Sequence, residues 1–99
     1  MKFMVTWEIH PDKRMDIWRK WCSMTPEERA DQGEGVTLIC RWHNTAEMKG
    51  VAVYETDDPT ALGVNLGLWN PAMDLVISPV VDDEESAAIG KKILEAMGG

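Results

Sequence analysis

Basic residues are scarce in this chain: 10 Lys and Arg stand against 17 Asp and Glu, a formal charge of −7 over 99 residues. A surface of that sign repels phosphate backbones and anionic membranes, and no stripe of Lys or Arg offsets it. Neither nucleic acid nor membrane is therefore an expected partner. Long apolar runs are missing too, since nothing approaches the roughly 20 residues of a membrane-spanning helix. Strand-type residues begin at Lys2, where a secretory leader would need a charged segment and then an apolar one. The expected location is the cytoplasm. Cysteine is rare, and Cys22 and Cys40 lack the spacing of a redox pair or a zinc site. Both lie in apolar-patterned segments, which predicts buried free thiols. No Gly-rich phosphate loop or nucleophile elbow is present, and Ser23 and Ser78 have no partner pattern that would make them nucleophiles. No cofactor is expected. The best metal combination, His10 with His43 and Asp74, lacks tight ligand spacing, so no metal is expected either.

What the chain does contain fits one domain: 44% hydrophobic and 27% charged residues are ordinary globular values. Tyr and Phe occur once each, yet there are five Trp. An indole offers a large apolar area and an N–H that wants a partner, so it suits cores, interfaces and ligand pockets alike.

The local signals alternate between strand and helix. KFMVTWEIH has period two and reads as a strand. Pro11 and Asp12 then suit a helix start, and Met15, Trp18, Trp21 and Cys22 follow at helical spacing. SMTPEER carries a capping box, with Thr25 as N-cap, Pro26 at the first helical position and Glu28 reaching back. GVTLICRWH and VAVYET read as strands on either side of the turn NTAEMKG. Asp58-Pro59 opens a helix with Leu62, Leu66 and Trp69 on one face, and Asn70-Pro71 ends it. MDLVISPVV is the fourth strand, with Pro79 favouring an edge position. Asp82 to Glu85 start a terminal helix, and Gly98-Gly99 reads as a frayed end. Strand, helix, strand, strand, helix, strand predicts an α+β, ferredoxin-like βαββαβ antiparallel sheet with helices on one face and a further C-terminal helix.

Alternation sorts the strand residues into two faces. Phe3, Val5, Trp7, Ile9, Val36, Leu38, Cys40, Trp42, Val51, Val53, Leu75 and Ile77 are expected under the helices. The opposite face then carries Met4, Thr6, Glu8, His10, Thr37, Ile39, Arg41, His43, Ala52, Tyr54, Asp74, Val76, Ser78 and Val80. That second face is too apolar for open water, so two copies are expected to pack through it as a homodimer.

Its polar members gather at one end. Glu8, His10, Arg41, His43 and Asp74 fall there, and the second main helix delivers Trp69 and Asn70 to the same end. His10, Arg41 and His43 are the catalytic candidates, because imidazoles titrate near neutrality and a guanidinium stabilises developing negative charge. Glu8, Trp18, Trp21, Tyr54, Trp69, Asn70 and Asp74 are the ligand-binding candidates. A structural reading competes: Ala52 is small enough to let Arg41 reach Glu8 as an ion pair that fixes dimer geometry. Trp18, Trp21, Leu62, Leu66 and Trp69 equally suit plain core or the wall of a cavity.

The segments MKFMVTWEIHPDKR, SMTPEER, LICRWHN, VAVYETDDPTAL and MDLVISPVVDDEESAAIG resemble those of a domain-of-unknown-function family, number 3303. The resemblance covers almost the whole chain and brings no established activity. Its broader likeness is to dimeric α/β-barrel proteins, among them cofactor-free monooxygenases, haem-degrading enzymes, lactone isomerases and ligand sensors. It implies a dimeric barrel with ligands between sheet and helices or near the strand ends, and no catalytic motif that transfers residue by residue. Three functions stay open on the sequence: binding of a small apolar or aromatic molecule, cofactor-independent monooxygenase-like or isomerase-like catalysis, and a dimer whose surface is its whole function.

Overall fold

The computed structural model describes residues 1–98; of the Gly98-Gly99 end read above as frayed, Gly99 lies outside the described residues. The chain runs through β1 (Lys2–Ile9), a 3₁₀ turn (Pro11–Lys13), α1 (Arg14–Ser23), α2 (Pro26–Ala30), β2 (Val36–Asn44) and β3 (Lys49–Thr56). It continues through α3 (Pro59–Gly67), a second 3₁₀ turn (Asn70–Ala72), β4 (Met73–Val80) and α4 (Asp83–Ala96). The strands form one sheet in the order β2-β3-β1-β4, and every neighbouring pair is antiparallel. This is the ferredoxin-like arrangement.

Local chemistry sets the element boundaries. The Thr25 hydroxyl accepts from the Glu28 N–H while the Glu28 carboxylate accepts from the Thr25 N–H, the capping box in full. That bonding also holds the Glu28 carboxyl below its ordinary range. The Asp58 carboxylate accepts from the N–H groups of Thr60 and Ala61 and starts α3. Pro79 sits on the edge strand β4, opposite Phe3 of β1, the kind of position a residue without an N–H favours.

Helices α1 and α3 cover one sheet face. Leu62 and Leu66 of α3 pack with Val5, Val36, Ala52 and Tyr54, while Ile17 and Trp18 of α1 close over Ile9, Met48 and Met73. Full burial of a Leu contributes about 1.5–3 kcal/mol, so this layer holds the fold. The stripe of α1 is Ile17, Trp18 and Trp21; Met15 and Cys22 are exposed, contrary to the spacing argument. Cys40 is only half-buried, so neither thiol is fully buried.

The register corrects the face assignment in two strands. Val5 pairs with Ala52 and Phe3 with Tyr54, so Ala52 and Tyr54 lie under the helices, and Val51 and Val53 lie on the bare face. In β2 a bulge between Leu38 and Cys40 sets Ile39 out of the ladder. One extra residue inverts every side chain beyond it. Arg41 therefore pairs with Ala52 and His43 with Gly50 on the helix side, while Cys40 and Trp42 turn to the bare face, where Trp42 is 71% exposed.

The chain is extended. Helix α4 buries none of its residues, and Ile89, Ile93, Leu94 and Met97 are exposed along it. The Cα radius of gyration is 16.5 Å, against about 12.6 Å for a compact chain of this length.

Candidate functional site

Between the sheet and α1, α2 and α3 lies a cavity of about 470 Å³. Its lining includes four of the five indoles, Trp7, Trp18, Trp21 and Trp69, with apolar closure from Leu66, Met73 and Leu75. A volume of that order suits a small organic ligand.

Each wall has a local cause. Trp7 lies across Gly50, and a Cβ added there would collide with the Trp7 ring and the Trp42 carbonyl. The absence of a side chain at Gly50 thus leaves room for the indole, which makes a T-shaped contact with His43 at 5.6 Å between ring centroids. Trp21 of α1 flanks the same imidazole at 5.3 Å. Its indole also carries two guanidinium groups, Arg41 at 5.1 Å and Arg29 at 5.4 Å from the ring centroid.

The polar end of the cavity is organised around the carbonyl of Arg29, near the C-terminus of α2. It accepts from Arg41 Nη1 at 3.1 Å and from Gln32 Nε2 at 2.9 Å, and Gln32 in turn accepts from Asn65 of α3 at 2.9 Å. Gln32 is buried, and these bonds tie the α2 end, β2 and α3 into one wall. Tyr54 is 4% exposed and lines the cavity. No hydrogen bond among the described residues uses its hydroxyl. His43 stands at the mouth, open to solvent along one side. Partial burial lowers its pKa first, and the Arg41 charge lowers it further, so folding favours the neutral ring.

Of the residues singled out from the sequence, the cavity gathers Trp18, Trp21, Arg41, His43, Tyr54 and Trp69. Glu8, His10, Asn70 and Asp74 are not part of its lining. Glu8 and Asp74 pair across β1 and β4 on the bare face, where a more open depression also takes in Trp42 and Lys49. His10 Nε2 meets Asp74 Oδ1 at 2.9 Å, and that hydrogen bond raises the His10 pKa. The expected Glu8–Arg41 pair does not form, because the bulge puts the two side chains on opposite faces. His10, His43 and Asp74 likewise do not converge, and among the described residues no group of three such side chains could hold a metal ion. Sequence reasoning missed Arg29 and Gln32, and it counted Trp7 only as core. The signal available was Arg29 at the end of the capped turn SMTPEER.

The fold and cavity define a ferredoxin-like α+β protein with an aromatic chamber between its helices and its sheet. The model of the family described as a domain of unknown function (DUF3303) matches residues 1–94, and the chain belongs to that family. No curated protein matches it. Among the described residues no helix is long and apolar enough to cross a membrane.

Proposed function

We propose that this protein is a cytoplasmic homodimer that binds a small apolar or aromatic molecule between its helices and its sheet. The observation that carries the reading is the indole-lined cavity with its few convergent polar groups, the usual form of a small-ligand site. Trp7, Trp18, Trp21 and Trp69 also supply the test. An aromatic ligand seated among them quenches tryptophan fluorescence, and at 100 times its Kd it stabilises the fold by about 2.7 kcal/mol. A screen of mono- and bicyclic aromatics that moved neither fluorescence nor Tm would overturn the reading.

The dimer is supported by area. A compact monomer of 11.1 kDa exposes about 5,700 Å², whereas this chain exposes 7017 Å². The excess of about 1,300 Å² exceeds the roughly 800 Å² that each partner gives to a standard interface. Its sources are α4 and the bare sheet face with Met4, Trp42 and Val76. Light scattering at micromolar concentration is expected to give twice the chain mass. Truncation after Val81 is expected to weaken association, and a monomeric full-length chain would refute the dimer.

Catalysis without a cofactor is the second reading, favoured by His43 and Arg41 lining the same cavity, with the imidazole pKa lowered by partial burial and by that charge. His10 lies outside the cavity, so acid–base work there would fall to His43. Loss of turnover in His43→Gln, with ligand affinity kept, would support it once a substrate is found.

A further inference from the structure

We infer that the ligand of this cavity carries a carboxylate, bound by Arg41 at the polar end while the aromatic body lies among the indoles. The inference rests on the cavity reading above and adds the chemical class of the ligand. The motive is a charge imbalance that runs against the whole chain. Acids outnumber bases across the protein, yet the cavity wall carries Lys20, Arg29, Arg41 and Lys49 against Glu28 and Asp31, and of these bases Lys49 is paired with Glu47 at 2.7 Å. Both acids are already engaged by backbone: Glu28 closes the capping box, and Asp31 accepts from the Gly33 N–H at 2.9 Å.

Neither Arg29 nor Arg41 has a carboxylate partner among the described residues. Arg41 is half-buried, held over Trp21 and by a single hydrogen bond to the Arg29 carbonyl. A guanidinium has five N–H donors in a planar fork that matches a carboxylate, so most of its donors remain free. Tyr54, on the same sheet face and one strand over, turns an unpartnered, nine-tenths-buried side chain to the same space. A fixed, partly desolvated guanidinium, with a free phenol lining the same cavity, suits a planar anion better than a neutral amide.

The test compares 2-naphthoate with 2-naphthamide, which share one aromatic body and differ in charge at one group. Tryptophan quenching and thermal shift give the affinity of each. The wild-type chain is expected to bind the carboxylate at least about tenfold more tightly, equivalent to about 1.4 kcal/mol. Arg41→Gln is expected to abolish that preference, read as the ratio of the two affinities within the variant. Arg41→Lys, which keeps the charge but not the fork, is expected to retain part of it. Circular dichroism checks that both variants fold, and the wild-type comparison stands if they do not. Equal affinity for the two probes overturns the carboxylate inference and leaves the cavity reading intact. Failure of both probes to bind overturns the two together. A preference that survives in Arg41→Gln overturns the assignment to Arg41.

Discussion

The two faces of the sheet are built from strands of similar composition and have become chemically unlike. Under the helices, Trp7, Arg41, His43 and Tyr54 share a chamber whose charge is positive against an acidic chain. On the bare face, Glu8 and Asp74 stand at the same end of the strands with Trp42 and Val76. The two histidines record the contrast. His10, hydrogen-bonded to Asp74, is pushed up; His43, partly buried and beside Arg41, is pushed down. A guanidinium and a carboxylate on β2 and β1, with β3 between them, thus serve different surfaces, and the difference comes from one bulged residue.

The largest expected effect tests whether the covered face holds the fold. Leu62→Ala, in the layer beneath α3, is expected to cost about 3 kcal/mol by urea unfolding. Gly50→Ala should follow at about 2 kcal/mol, because the new methyl group meets the Trp7 ring and a backbone carbonyl. It should also disturb the Trp7–His43 contact, visible as altered tryptophan emission. A neutral result at Gly50 would mean that the indole is free to leave the sheet.

The histidines sharpen the comparison through pH. His10 gains a partner on folding, so its stabilisation is complete below the ordinary imidazole pKa and disappears as pH rises through its raised value. His43 runs the other way, since folding favours its neutral form. Its contribution is present above the ordinary imidazole pKa and is lost as pH falls through the lowered value. Tm measured between about pH 5 and 8 should lose its acid-side decline in His43→Gln and part of its alkaline-side decline in His10→Gln. The same slope in both variants would erase the contrast between the faces.

The smallest effect belongs to the bare face. At dilutions that keep the chain monomeric, Trp42→Ser should change unfolding by less than about 0.5 kcal/mol, because the indole is already largely in water. At higher concentration the same change should weaken the proposed dimer, read by light scattering.

Most of the fold was legible along the chain. Thr25-Pro26, Asp58-Pro59 and Asn70-Pro71 punctuate it, and their signals are local: a hydroxyl or carboxylate reaching an N–H a few residues on, or a proline without one. The site was legible only in part. Trp18, Trp21 and Trp69 were recognisable as cavity candidates from helical spacing, but Arg29 and Gln32 enter the site through contacts between distant segments.

The order and type of the elements, and the gathering of polar residues at one end of the strands, follow from the sequence alone. Both depend on backbone propensities and strand direction. Which face each residue occupies was decided by the tertiary structure. VAVYE offers apolar residues in both phases, so its alternation cannot say which phase is buried until β3 pairs with β1. LIC presents three apolar residues in a row and hides the bulge that turns Arg41 and His43 inward. A strand's period is a local property, but its phase is set by the partner it pairs with and the layer it packs against.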